Sequence, residues 1–214
     1  MFDTTSSSLS LGARIEMSIA QVRQLNRWFV ELMAVTRSED CPATPIAQCQ
    51  SLGDEARMRL SEFPVLLANL RFEDAAFWIA CRKDVVTNDA HASFPPTASS
   101  DAIAFVRCLL VTAWQMAHDA RAPRFLLGMT DSVAAVIDRM MFQQLDWIAV
   151  HYAASLRPRW IEIPDFWPKL LQSAQGADPQ AWSDFQLHAL RLLGRDLLAR
   201  DPNFEASHRR RAPL

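Results

Sequence analysis

Glycine is scarce in this chain of 214 residues, with 5 in all, and tyrosine occurs once. Few glycines leave little room for a loop that cradles phosphates, and the scarcity of both residues, beside many Ala, Leu, Arg and Gln, favours helix over sheet. Lysine is nearly missing as well: Lys83 and Lys169 are two of the 22 basic residues, and arginine supplies the rest. The formal net charge of -2 excludes a uniformly basic nucleic-acid binder but leaves room for a local patch of guanidinium forks. The 4 cysteines (Cys41, Cys49, Cys81, Cys108) show neither C-x-x-C spacing nor a nearby histidine partner, so neither a metal site nor a disulfide framework is expected. They read as reduced, with Cys81 and Cys108 in packed helices and the other two near a loop. The longest apolar window, AIAFVRCLLVTAWQMA, contains Arg107 and is too short for a membrane span. MFDTTSSSLSLGARIEM has neither a basic start nor an apolar stretch of the secretory kind, so a cytoplasmic protein is expected.

What remains is a chain that is 50% hydrophobic and 21% charged, rich in Ala, Leu, Arg and Gln, and this predicts an all-α helical bundle. Ile15, Ile19, Val22, Phe29 and Met33 predict a long amphipathic helix from Leu11 to about Val35. A short helix is expected near Ile46–Leu52, with Gly53 in the left-handed position after it. DEARMRLSEF and PVLLANLRF read as two helices meeting at Pro64, and EDAAFWIACRKDVV continues helically. HASFPPTASS, at 91–100, is the clearest boundary in the chain. The expected organisation is an N-terminal helical domain over 1–90, a linker over 91–100, a helical domain over 101–200 and a disordered basic tail over 201–214.

In the second half, Asp101–His118 predicts a strong helix whose Ala104, Cys108, Val111 and Gln115 line one face. RAPRFLLG predicts a short helix stopped by Gly128, and Thr130 or Asp131 is placed to cap the next one. SVAAVIDRM and Phe142–Tyr152 then form a helix-turn-helix-like hairpin. SLRPRWIEIP reads as a short strand or extended arm, followed by helices at PDFWPKLLQSA and Gln180–Arg200. The last of these is expected to turn Trp182, Phe185, Leu190, Leu193 and Leu197 inward. DEARMRLSEFPVLLANLRFEDAAFW and SVAAVIDRMMFQQLDWIAVHYAASLRPRW share a layout, helix, Phe at a junction, apolar helix, Trp. Two explanations stay open: an internal duplication forming a pseudo-dimer, or the general likeness of helical hairpins.

The region from about Asp101 to Leu198 resembles the bacterial flagellar transcriptional activator subunit FlhD family. The resemblance is carried by Leu109–Leu110, the run Phe125–Gly128, Thr130–Asp131, Val133–Ala134, Ile137, Arg139, Gln144, Ile148–Ala149, Arg157, Arg159 and Trp160. LLQSA and QLHALRLL follow in the same order. The sequence departs from the family at Leu126, where arginine is usual, at Pro158, and at Leu156, where the family has a cysteine that links its two subunits. The additional N-terminal 90 residues are also outside the ordinary family architecture. The resemblance implies a transcriptional regulator subunit acting in a hetero-oligomer with an FlhC-like zinc-binding partner, which carries the metal and much of the DNA contact. RNA polymerase is a further partner it allows, and neither a membrane nor a small-molecule substrate is implied.

Candidate residues follow from both lines. Arg157 and Arg159 flank a proline, with Arg139 on the preceding helix. They read either as an edge that contacts DNA phosphates or as a solvated face pairing with Asp138 and Glu162. Phe125, Trp160 and Trp167 are candidate partner-interface residues, since large amphipathic rings are enriched where subunits meet; the alternative is that they fill the bundle interior. His118–Asp119 and His151–Tyr152 do not form acid–base pairs, because helix neighbours point about 100° apart. No cofactor and no catalytic residue are expected, and the alternative function is a helical adaptor without DNA contact.

Overall fold

The computed structural model describes residues 11–35, 45–87, 98–118 and 121–200. They form helices α1 (Leu11–Val35), α2 (Pro45–Gln50), α3 (Asp54–Ser61) and α4 (Ala75–Thr87) in the first half. The second half contributes α5 (Ser100–His118), α6 (Arg121–Leu126), α7 (Asp131–Ile137), α8 (Phe142–Tyr152), α9 (Phe166–Gln175) and α10 (Pro179–Ala199). One two-stranded antiparallel ladder, β1 (Ala68–Asn69) with β2 (Arg157–Pro158), ties the halves together, with Ala68 opposite Pro158 and Asn69 opposite Arg157. The all-α class is as expected, and no described helix is long and apolar enough to cross a membrane. The predicted tail over 201–214 and Cys41 lie outside the described residues.

α1 buries Val22, Leu25, Phe29, Val30 and Met33 at helical spacing. It also buries Asn26, a residue with no apolar reason to be inside. The Asn26 amide donates to the carbonyls of Phe63 (3.2 Å) and Val65 (2.9 Å), and its carbonyl accepts from the Leu67 N–H (2.8 Å). Three backbone groups that a helix would have satisfied internally are thus satisfied by one side chain. Leu66 N–H goes instead to the Leu126 carbonyl (2.9 Å), and Arg159 N–H to the Leu67 carbonyl (2.7 Å). PVLLANLRF is therefore not the predicted second helix. It is an extended segment whose residues Val65 to Leu70 are all buried.

Gly53 also departs from expectation: with φ -70° and ψ 163° it is the extended N-cap of α3, not a left-handed residue. Gly128 does take the left-handed conformation, φ 65°, and stops α6. On α5 the buried residues are Ile103, Phe105, Val106, Leu109, Leu110, Ala113 and Met116, so the face of Ala104, Cys108, Val111 and Gln115 is the outward one. Cys108 is exposed, while Cys49 and Cys81 are buried.

The buried residues of both halves form one continuous cluster. α1 packs on α5 and α6, α3 on α9, and α4 on α7 and α8. The expected division into domains 1–90 and 101–200 is corrected accordingly: the halves share a core instead of each closing its own.

Candidate interaction site around the helical hairpin

Gly128 and Thr130 set the entry to the hairpin. After Gly128 turns the chain, the Thr130 hydroxyl accepts from the Val133 N–H (3.3 Å), an N-cap that starts α7. The turn that follows ends at Met141, whose N–H donates to the Gln144 side chain (2.9 Å), anchoring the start of α8. Val133, Ala134 and Ile137 on α7, with Leu145, Ile148 and Ala149 on α8, point into the core. What they leave outside is the tip: Met141 is 64% and Phe142 67% exposed, beside exposed Arg139. Two side-chain contacts hold the tip against α5, His118 Nε2 to the Asp138 carboxylate (2.9 Å) and the ion pair of Arg107 with Asp146 (2.5 Å).

The Arg157–Trp160 turn is built differently from expectation. Arg159 is 4% exposed, and its guanidinium donates to the carbonyls of Leu66 (2.8 Å), Ala68 (3.3 Å) and Leu127 (2.6 Å). Burial pulls its pKa down to about 10, while the carboxylates of Glu73, Asp196 and Glu162 act in the opposite direction, so it carries its charge at neutral pH. An arginine so placed brackets backbone and cannot also reach a phosphate. Arg157 is half-exposed and faces Glu73 (3.8 Å), which Arg200 also approaches (3.4 Å). The expected partner Asp138 is held by His118 instead.

Nor do the three arginines share an edge. Arg157 lines a shallow depression with Arg71, Glu73, Arg200 and the α7-starting residues Thr130 and Ser132, whereas Arg139 lies beyond the other end of α7. Trp160, 4% exposed, and Trp167, 1% exposed, are core residues, which corrects their assignment to a partner surface. Their indoles donate to Asp196 (2.9 Å) and to the Arg159 carbonyl (2.7 Å). Phe125 is half-buried against the core.

Sequence reasoning missed Arg71 and Arg200 in that depression and the apolar tip at Met141–Phe142. Met141–Phe142 was detectable, as two large apolar residues at a predicted helix start; the approach of Arg200 to Glu73 bridges remote elements and had no local signal.

Of the described thiols, Cys49 and Cys81 are buried and Cys108 is exposed. Burial pushes Cys49 and Cys81 each to about 12, far from the thiolate form at neutral pH. The lone tyrosine, Tyr152, is also raised, by burial and by its hydrogen bond to Asp84. Among the described residues no group of three or more His, Cys, Asp or Glu is arranged to hold a metal ion. The arrangement offers an apolar tip for protein contact and half-exposed guanidinium groups that can take up phosphate. Comparison with family models, curated proteins and solved structures finds no match for the chain.

Proposed function

We propose that the chain is a scaffold subunit of an FlhD-like transcriptional regulator, working in a hetero-oligomer with an FlhC-like zinc-binding partner at promoter DNA. The observation that carries this reading is the exposed Met141–Phe142 tip of the hairpin, with Arg139 beside it. Exposed apolar residues at the point of a supported hairpin suit a protein partner. DNA contact by this chain is then secondary, through Arg139, Arg157 and the neighbouring Arg71 and Arg200, with affinity gained by joining two weak binders. Binding by the chain alone is expected to be no tighter than roughly micromolar at physiological salt, in line with the -2 net charge.

The test uses the complex co-purified with the product of the adjacent reading frame. Phe142→Asp is expected to abolish co-purification while leaving the circular-dichroism melt unchanged. In the intact complex, Arg139→Ala with Arg157→Ala is expected to flatten the log–log salt dependence of DNA binding by nearly two units. A second reading, a helical adaptor without DNA contact, is favoured by the burial of Arg159, which removes one of the three arginines from the surface. An unchanged salt slope in a complex that still assembles would select the adaptor.

A further inference from the structure

Arg71, Arg157 and Arg200 come from distant parts of the chain, the turn after β1, β2 and the cap of α10, and meet at the depression beside Ser132. Its volume, about 510 Å³, is that of a small-molecule site. The guanidinium groups are 43%, 46% and 48% exposed, while Glu73, which Arg157 and Arg200 both face, is 14% exposed and lies deeper. Buried Asn69 organises this floor: its amide donates to Glu73 Oε1 (3.2 Å) and its carbonyl accepts from the Arg71 N–H (2.8 Å). That hydrogen bond helps hold Arg71 at φ 58°, a conformation that residues other than glycine keep only where their surroundings impose it. Asp74 (2.5 Å) and the Phe77 ring fix the Arg71 side chain. Arg157 and Arg200 stand 3.8 and 3.4 Å from the same Glu73 oxygen. Both exceed the roughly 2.7–2.9 Å of a charge-assisted hydrogen bond. One carboxylate oxygen therefore aligns two planar forks without saturating either.

From this arrangement we propose that the depression binds a small phosphate dianion, inorganic phosphate or the monoester end of a phosphorylated metabolite. Charge favours an anion, since three guanidinium groups face two carboxylates, those of Glu73 and Asp74, and leave one positive charge in excess. Shape favours phosphate. Its terminal oxygens give one acceptor to each of Arg71, Arg157 and Arg200, whose forks match that geometry. The exposed Ser132 hydroxyl is a further donor. A carboxylate ligand has too few oxygens to engage all three forks, and a phosphodiester carries a single charge. The ligand also joins the two halves, because Arg71 follows β1 while Arg157, Ser132 and Arg200 belong to the second half. This inference does not rest on the regulator reading, since it needs neither DNA nor a second protein; in the complex the ligand would compete with DNA for these arginines.

The test is an NMR titration of the full chain at constant ionic strength and slightly alkaline pH, with inorganic phosphate, ribose 5-phosphate and dimethyl phosphate as probes. The first two are expected to saturate with a Kd of roughly millimolar or tighter, and dimethyl phosphate to bind about fivefold more weakly or not at all. Tighter binding of ribose 5-phosphate assigns the site to a phosphorylated metabolite; equal or tighter binding of inorganic phosphate assigns it to the free ion. Arg157→Ala and Arg200→Ala are each expected to weaken binding about fivefold or more with an unchanged thermal melt. Arg139→Ala, beyond the other end of α7, is expected to leave binding as it is. A chain that neither dianion saturates, or that binds dimethyl phosphate equally well, would overturn the proposal. So would a loss in Arg139→Ala equal to that in Arg157→Ala and Arg200→Ala, which would mean attraction to charge at large.

Discussion

The two halves use one order of elements. Each runs long helix, short helix, glycine, helix, two-residue strand and a helix that opens near a Phe–Trp pair: α1, α2, Gly53, α3, β1, α4 against α5, α6, Gly128, α7, β2, α9. The second half inserts α8 before its strand and adds α10. Packing is exchanged between them, α3 on α9 and α7 on α4, with α1 against α5 and β1 against β2. A duplicated unit paired with itself about a two-fold axis would give these contacts, while the packing of α1 on α6 and of α2 on α9 has no counterpart of similar extent. The layout shared by DEARMRLSEFPVLLANLRFEDAAFW and SVAAVIDRMMFQQLDWIAVHYAASLRPRW is not how the halves correspond, because α8 has only the non-helical 63–74 segment opposite it.

Even the turns after the strands are alike. Arg71 and Trp160 are the non-glycine residues with positive φ, 58° and 57°, among those described. The Trp78 indole donates to the Arg71 carbonyl (3.0 Å) and the Trp167 indole to that of Arg159 (2.7 Å). The arginine side chains have opposite fates. Arg71 lies outside, paired with Asp74 (2.5 Å) and set over the Phe77 ring. Arg159 lies inside and holds three carbonyls. Arg71 matches Trp160 by its positive φ, so the two arginines sit one position out of register, and similar turns carry a surface ion pair in one half and the central bracket of the fold in the other.

The largest effect expected from breaking this comparison is at the arginines. Arg159→Met leaves the Leu66, Ala68 and Leu127 carbonyls without their donor and should cost about 3–5 kcal/mol, a large part of a typical domain's stability. Arg159→Lys keeps a charge but loses the fork, and should fall between Met and wild type. Arg71→Met removes a pair that is half in solvent and should cost less than about 1 kcal/mol. Urea titrations followed by circular dichroism compare the three. Similar losses for Arg71→Met and Arg159→Met would mean that Arg159 is not the bracket described.

The glycines come next. Gly128→Ala forces a left-handed alanine whose Cβ would lie 2.9 Å from the Arg159 guanidinium carbon and nearer still to Nη1. Conformational cost and displacement of Arg159 together should amount to about 2–4 kcal/mol. At the corresponding Gly53, with φ -70° and nothing within 4 Å of an added Cβ, alanine should change stability by less than about 1 kcal/mol. Thermal melts of both variants measure the contrast; a Gly53→Ala loss equal to that of Gly128→Ala would remove the proposed difference between the halves.

Much of this asymmetry was beyond the reach of local sequence signals. The bounds of α1 and α5, the stop at Gly128, the Thr130 cap and the start of α10 were readable because periodicity and capping act within a turn or two. The extended run at Val65–Leu70 was not, since Leu and Ala favour helix while the groups that hold it straight, Asn26, Leu126 and Arg159, come from distant positions. A clue existed in the unbroken apolar run after Pro64, which also fits a strand buried on all sides. On α5 apolar residues occur around most of the helix, so period alone could not choose the inward face. The candidate site suffered most, because an arginine flanked by proline reads as surface until three remote carbonyls are found around it.

The smallest expected effect concerns how each half starts the helix after its strand. Asp74 accepts from the Phe77 N–H (3.0 Å) at the start of α4, whereas Asp165, at the N-cap of α9, makes no side-chain cap and instead meets exposed Lys169 (3.2 Å). At neutral pH, Asp74→Ala should cost about 1 kcal/mol and Asp165→Ala no more than about 0.5 kcal/mol. The hydrogen bond from Phe77 holds the Asp74 carboxyl below its ordinary pKa; partial burial opposes this, and the adjacent Arg71 adds to it. A carboxyl with a lowered folded pKa contributes stability that is complete above its unfolded value, about 3.9, and is lost as pH falls through the folded one. The gap between wild type and Asp74→Ala should therefore be full at pH 7 and smaller at about pH 3, narrowing as pH falls through the folded pKa. The gap for Asp165→Ala should stay small throughout. Urea midpoints at both pH values make the comparison. A gap for Asp74→Ala that persists in acid would show that the aspartate acts through packing and not through its charge.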